Sequence, residues 1–215
     1  MSTTRPLIVH IDGPDGAGKT TACQQLQDIL QPRFEVQLLA FPTSLPGEFE
    51  DIVDETYYYL SDFRREFTRR LVGSSPDIVI LDRSFVSTVA YQGFRDINPP
   101  FPRDINGQDF ASLIIEEGLS IYKGPYFEQA PRPVFCFFYA DERDLAERLH
   151  GEDEVGKLAK GEQLERLRML SQACRSVQSK LEEYVGTEPI YTIDAESSPQ
   201  DITTRLRSIV RETMD

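Results

Sequence analysis

Short apolar runs alternate with stretches of helical spacing along most of the chain. Leu7-Ile8-Val9-His10-Ile11 leads into Asp12-Gly13-Pro14 and predicts a buried strand entering a loop. Ala22, Leu26, Ile29 and Leu30 then recur at helical steps until Pro32 stops them. Val36 to Phe41 predicts a second strand, closed by Pro42 and by Pro46-Gly47. Leu60, Phe63, Phe67 and Leu71 share one face of a longer helix, with Arg64, Arg65, Arg69 and Arg70 beside them. Asp77 to Asp82 predicts a third strand and Val134 to Tyr139 a fourth, the latter followed by a short helix through Leu145 and Leu149. Leu167, Leu170, Cys174, Val177 and Leu181, at steps of three and four, predict a long amphipathic helix. Pro189 to Ile193 predicts a fifth strand. Ser198-Pro199-Gln200-Asp201 has a capping serine and a proline at the first helical position, ahead of a stripe of Ile202, Leu206, Ile209 and Val210.

Strands apolar throughout and alternating with helices predict a five-stranded parallel sheet covered on both faces, a three-layer α/β sandwich. Two stretches interrupt the pattern. Residues 94–109, around Asn98-Pro99-Pro100-Phe101-Pro102, read as an ordered surface excursion, and Phe110, Leu113 and Ile114 begin the next helix. Gly151 to Gly161 is polar, charged and glycine-rich, and reads as a mobile lid over about 150–162. With no repeat and no linker-like run, residues 1–215 are expected to form a single domain.

Composition narrows the chemistry. A net charge of −13 disfavours steering towards a phosphate-coated polymer, though a local basic cleft can still hold one small anion. No apolar run approaches the ~20 residues needed to cross a bilayer, and Met1 to Pro6 carries no signal-like apolar core. The three cysteines, Cys23, Cys136 and Cys174, lack metal spacing, so a reducing, cytoplasmic setting is expected. His10 and His150 are the only histidines, which excludes a multi-histidine metal site.

Gly13-Pro14-Asp15-Gly16-Ala17-Gly18-Lys19-Thr20 matches G-x-x-x-x-G-K-[ST] and lies between the first predicted strand and helix, the context the motif requires. Glycines let backbone N–H groups turn inward around a phosphate, and the helix N-terminus adds partial positive charge. In this P-loop NTPase reading Lys19 reaches the β- and γ-phosphates of ATP and Thr20 binds Mg²⁺, with Thr21 beside them in the first turn. Asp82, ending an apolar strand, stands where a second carboxylate on the Mg²⁺ side belongs; an aspartate there also caps helices well.

Asp82-Arg83-Ser84-Phe85-Val86-Ser87-Thr88-Val89-Ala90-Tyr91-Gln92-Gly93 resembles the D-R-[YH]-x-x-S-x-x-A-Y-Q segment of thymidylate kinases. Phe41-Pro42 is similar to the start of that family's acceptor-phosphate loop, and Leu60 to Arg64 to its helix segment under the base. Arg143 to Leu149 with the lid, and Ile193-Asp194-Ala195, fit as well. The resemblance implies a kinase using ATP and Mg²⁺. In it Asp15 holds the acceptor's 3′-hydroxyl, Arg83 its phosphate and Arg64 its base, with Tyr91, Gln92 and Ser87 lining the pocket and Arg148 against adenine. Family members place a catalytic arginine in the phosphate loop or the lid; Gly16 occupies the loop position, which leaves Lys157 or Lys160 of the lid, otherwise a pair of solvated lysines. The family's dimers imply a homodimer.

The departures fall on the acceptor side. Ser44 stands where an acceptor-phosphate arginine is expected, Leu60 where a base-stacking phenylalanine is, Ser84 in place of Tyr or His, and the lid is poor in arginine. Arg65, Arg95 and Arg103 are candidates to replace the lost contact. The sequence therefore points to phosphoryl transfer to a deoxypyrimidine acceptor, dTMP or a modified analogue. Two alternatives stay open: a deoxynucleoside kinase, or a kinase of a 5-hydroxymethyl pyrimidine in a nucleotide or in DNA. A P-loop switch or motor has no use for Asp15 and the 82–93 segment.

Overall fold

The computed structural model describes residues 5–43, 49, 51–71, 74, 76–93, 107–123, 130–149 and 160–214. Strands β1 (Leu7–Asp12), β2 (Val36–Ala40), β3 (Ile78–Asp82), β4 (Arg132–Tyr139) and β5 (Ile190–Asp194) form one parallel sheet in the order β2-β3-β1-β4-β5. Among the described residues the helices are α1 (Lys19–Leu30), α2 (Ile52–Leu71), α3 (Phe85–Thr88), α4 (Gly107–Ser120), α5 (Glu142–Arg148), α6 (Lys160–Val185) and α7 (Pro199–Met214). A π-helical turn, Val89–Gly93, continues α3, and a 3₁₀ turn, Ile121–Lys123, continues α4.

Alternate strand residues point to opposite faces, and both faces are buried, which is why the strands read as unbroken apolar runs. Ile8, Val79, Leu81, Phe135 and Phe137 pack with Phe63, Phe67, Phe85, Ile114 and Val177 on one face. Leu7, Val9, Ile11, Ile78, Ile80, Cys136 and Phe138 pack with Leu26, Leu206 and Ile209 on the other. The sandwich, the five strands and the long helical stripes match the sequence expectation.

The order of the strands positions the site. From β1 the chain builds β2 and β3 on one side and then crosses to β4 and β5 on the other, so the loops at the C-terminal ends diverge around β1 and leave a crevice there. The pairing of Ile11 with Asp82 and of Asp12 with Phe137 brings β1, β3 and β4 to the same level at that end.

Several details differ from the sequence reading. Ile29 and Leu113, read as stripe residues, are 41% and 40% exposed, because the helical stripe facing the sheet is narrower than the run of apolar letters. The segment after Asp82 holds one short turn of α-helix and then a π-turn. Residues 160–162, assigned to the lid, belong to the first turn of α6, and 107–109, assigned to the excursion, open α4. The rest of both segments lies outside the described residues, as do Pro46-Gly47. Ser198 caps α7 as read, accepting from Asp201 N at 3.1 Å. No described helix is long and apolar enough to cross a membrane.

Helix α4 packs closely against α3 at Phe85. A Cβ on Gly118 would fall 2.2 Å from that fully buried ring, whereas one on Gly161 in α6 meets nothing within 4 Å. Gly118→Ala is expected to cost about 1–3 kcal/mol as an overpacked core, and Gly161→Ala to be neutral or slightly stabilising; urea denaturation of the two variants measures the difference.

Candidate functional site

The loop after β1 turns inward because three of its glycines take positive φ: Gly13 at 147°, Gly16 at 80° and Gly18 at 76°. Two of them also have no room for a side chain. A Cβ at Gly13 would lie 2.5 Å from the Phe138 carbonyl oxygen, and one at Gly16 2.7 Å from that of Leu145. The backbone of α5 therefore rests on the loop at Gly16. Ala17 is buried in the core face below, and no side chain caps α1, whose first N–H groups face the loop. This cradle fits phosphate oxygens.

Lys19 opens α1 and is buried, its Nζ donating to the Pro14 carbonyl at 2.6 Å. Burial, helped by the nearby Arg83 charge, lowers its pKa to about 8 against the opposing pull of Asp15 and Asp82. Thr20 and Thr21 are exposed on the same turn. Asp82 is buried at the end of β3, and its charge reaches both Lys19 and Cys23 of α1. The capping role is taken by Ser84, whose hydroxyl accepts from Val86 N at 3.1 Å. Asp82 is left to the phosphate-loop side. Among the described residues no three His, Cys, Asp or Glu side chains form a metal cluster; the Thr20 hydroxyl and the Asp82 carboxylate are oxygen donors of the kind Mg²⁺ takes.

Arg83 joins the phosphate loop to the β3 corner. Its backbone has φ of 66°, a left-handed conformation that costs a non-glycine residue about 1–3 kcal/mol. Its N–H is held by the Ile11 carbonyl at 3.1 Å. The guanidinium donates to the Asp15 carboxylate and, at 3.1 Å, to the Tyr91 hydroxyl, and it lies 5.3 Å from the centre of the Tyr91 ring. Burial works to raise the pKa of Asp15, but the Arg83 and Lys19 charges and hydrogen bonds from Arg83 and Tyr91 bring it below the ordinary carboxylate value. Burial also raises the pKa of Tyr91, which stays a neutral phenol. Asp15, Lys19, Arg83 and Tyr91 are thus one cluster.

The remaining acceptor-side residues are engaged with one another. Phe41-Pro42 is a cis peptide, and the Phe41 ring packs 4.9 Å from Phe63. Thr43 is tied to buried Asp62 of α2 by its N–H at 2.8 Å and its hydroxyl at 2.7 Å, and Arg65 donates to the same carboxylate. Arg64 donates to Glu117 and Ser120 of α4, both at 3.1 Å, and not to the Asp15 cluster. Leu60 is half-buried against the α2-side core. Gln92 donates to Glu55 at 3.2 Å, while its buried Oε1 has no partner among the described residues. Ser87 donates to Asp12 at 2.6 Å. On the ATP side Arg148 donates to the Ala195 carbonyl at 2.8 Å, just past β5. Arg143 and Arg168 line an open cleft of about 330 Å³ between α5 and α6. Ser44, Arg95, Arg103 and Lys157 lie outside the described residues, as does the side chain of Lys160.

Sequence reasoning missed Asp12, His10, Asp62 and Tyr122. The signal for the first two was visible: two polar residues within a strand whose neighbours are otherwise all apolar and buried on both faces.

Residues 11–106 match the model of the thymidylate kinase family. A probable thymidylate kinase of Metallosphaera sedula is 34% identical over 93 residues, 40% of this chain and 47% of that protein. A thymidylate kinase of Xanthomonas campestris pv. campestris is 36% identical over 119 residues, 49% of this chain and 51% of its own. One from Staphylococcus haemolyticus is 28% identical over 129 residues, 54% and 63%. The matched part spans about half the length of these curated relatives. It holds the phosphate loop, Asp15, Asp82, Arg83 and Tyr91, and over it the chain is thymidylate kinase-like.

Proposed function

We propose that this chain is a P-loop kinase that moves the γ-phosphoryl group of ATP to a deoxypyrimidine acceptor, dTMP or a modified analogue. The observation that carries the reading is the Asp15–Arg83–Tyr91 cluster set against Lys19. A nucleotide switch or motor needs a phosphate loop and a metal carboxylate, but has no use for a half-buried carboxylate–arginine–phenol group beside them. The names of the relatives support the same choice of acceptor.

In this reading the loop N–H groups and Lys19 hold the ATP phosphates, and Arg148 lies towards the adenine. Thr20 and Asp82 would hold Mg²⁺, which would supply positive charge against the phosphates. Asp15 accepts from the acceptor's sugar hydroxyl, and Arg83 neutralises the charge that two approaching phosphates create. Tyr91 braces Arg83, and Gln92 offers its unpartnered oxygen to the pocket wall. Phosphoryl transfer needs positioning and charge more than a strong base. The crowding at Gly16 supports a cation supplied from the lid side, with Lys157 and Lys160 as its candidates.

One observation favours a second reading, an acceptor without a phosphate. Arg64, Arg65 and Arg83 each have a carboxylate partner, in Glu117, Asp62 and Asp15. An incoming phosphate must compete for at least one of them. An ADP-release assay with Mg·ATP and thymidine, dTMP, dUMP, 5-hydroxymethyl-dUMP or DNA containing that base separates the readings. Turnover above about 1 s⁻¹ on dTMP is the expected result; turnover on thymidine alone, or on DNA alone, replaces it.

Arg83→Met is expected to lower kcat/KM for dTMP by about a hundredfold or more, from the loss of a charged, bidentate contact. ATP affinity should stay within about twofold. Equal losses for dTMP and ATP in steady-state kinetics would place Arg83 on the donor side instead.

Lys19 carries a cost in stability that this function explains. Burial lowers its folded pKa to about 8 from 10.5, so the unfolded chain binds more protons between those values and stability rises with pH across that window. Lys19→Met is expected to be more stable than wild type near pH 7.5 without nucleotide, to lose part of the gain wild type shows on moving to about pH 9.5, and to lose at least about a hundredfold in transfer rate. Urea midpoints at the two pH values, with a single-turnover assay, check all three.

A further inference from the structure

Behind Arg83 a line of buried polar side chains crosses from the 3₁₀ turn after α4 to the end of β1, and none of the roles above uses it. The Tyr122 hydroxyl lies 2.7 Å from His10 Nε2, and His10 Nδ1 lies 2.9 Å from Ser84 Oγ. Ser84 Oγ donates to Asp12 Oδ2 at 3.0 Å. Asp12 Oδ1 accepts the Ser84 N–H at 3.2 Å and the Ser87 hydroxyl at 2.6 Å. His10, Asp12, Ser84 and Tyr122 are all buried.

The directions of these bonds can be derived. A serine hydroxyl has one proton and two lone pairs. The Ser84 proton goes to Asp12, and Val86 N–H occupies one lone pair, so His10 meets the other as a donor. His10 therefore carries its proton on Nδ1. Burial holds its pKa down at about 3, which leaves a single proton on the ring and Nε2 bare to accept from Tyr122. Every link runs one way, from Tyr122 through His10 and Ser84 to Asp12. The imidazole is fixed sideways by Phe135, stacked at 4.3 Å, and by Phe85 edge-on at 5.6 Å.

We propose that His10, Ser84 and Asp12, closed by Tyr122, are positioning residues that aim the Arg83 guanidinium at the acceptor. The inference rests on the kinase reading for what Arg83 does, though not for where it points. Arg83 N–H is bound to the Ile11 carbonyl and Ser84 N–H to the Asp12 carboxylate, so both peptide groups flanking the left-handed residue are tied to successive residues of β1. A strained conformation persists only where its surroundings over-determine it. Ser87 attaches the following turn to the same carboxylate. When the line is broken, the Ser84 peptide is free to turn, Arg83 relaxes to an ordinary backbone conformation, and its guanidinium leaves Asp15 and Tyr91.

His10→Leu removes the ring donor, whereas His10→Asn keeps an amide N–H able to stand near Nδ1. Tyr122→Phe removes only the first hydroxyl. With ¹⁵N-labelled arginine, the Arg83 guanidinium N–H signals report its bonds to Asp15 and Tyr91 directly, and Arg83→Met assigns them. His10→Leu is expected to shift those signals and speed their exchange, and to lower kcat/KM for the acceptor at least about tenfold with KM for ATP within about twofold. His10→Asn should recover most of both, and Tyr122→Phe should show an intermediate loss. Unchanged Arg83 signals in a folded His10→Leu, or an Asn variant as impaired as the Leu variant, overturns the proposal. Should His10→Leu fail to fold, Tyr122→Phe decides in the same two readouts. If wild type phosphorylates no acceptor, the proposed function falls, and the Arg83 signals alone still decide this inference.

Discussion

The junction between β3 and α3, where Arg83 takes a left-handed backbone, is the constraint on which the site depends. It exists because the parallel register brings Ile11 opposite Asp82, so that β1 and β3 end level and the loops beyond them emerge side by side. From that level start, backbone and side-chain bonds cross between the two strand ends: Arg83 to Ile11, Ser84 to Asp12, and Arg83 onward to Asp15. A one-residue slip would exchange the faces of the strand and separate all three. The apolar pattern that fixes the register is therefore also what aims the chemistry.

The electrostatics are local and mixed rather than globally attractive. The chain is strongly acidic, yet around its phosphate loop stand a buried cation, Lys19, and a half-buried one, Arg83, among three carboxylates, Asp12, Asp15 and Asp82. Burial raises the pKa of Asp12 and lowers that of Lys19; hydrogen bonds from Ser87 and Ser84 and the Arg83 charge oppose the first shift, and Asp15 and Asp82 oppose the second. A phosphate entering this cluster relieves Lys19 of an uncomfortable site while competing with Asp15 for Arg83. Specificity can come from that competition, because only a ligand that offers both a hydroxyl for Asp15 and a charge for Arg83 satisfies both groups.

Sheet order apart, most of the fold was legible from the alternation of buried runs and helical stripes, and the phosphate loop from its spacing and context. The misses have physical causes. Ile29 and Leu113 satisfy helical spacing, but a helix on a sheet buries a stripe narrower than the pattern allows. For Asp82 the sequence left a metal-side role and a helix cap open; the cap of α3 is Ser84, whose hydroxyl both accepts from Val86 N and bonds β1. Arg64 was assigned to the acceptor's base by resemblance; its pairing with Glu117 and Ser120 depends on how α4 lies over α2, which no local pattern encodes. His10 and Tyr122 are separated by more than a hundred residues, and nothing short of the packed fold brings them to 2.7 Å.

The departures from the family pattern then divide into two kinds. Ser84 had looked like a loss on the acceptor side, because relatives carry Tyr or His there. In the folded chain its hydroxyl sits within 3.1 Å of His10, Asp12 and Val86 N together, a space that no aromatic ring could share. The imidazole that meets Ser84 at 2.9 Å stands on β1, one strand over. Ser84 is therefore accounted for by the hydrogen bonds it makes in this chain. The substitutions at Leu60 and Ser44 are of the other kind. They replace a stacking ring and a charge by groups that cannot do the same work, and no compensating residue follows from the packing of the core. Evidence for a changed acceptor therefore rests on those two positions and on the carboxylate partners of Arg64 and Arg65, and not on the Asp82-Arg83-Ser84 triplet.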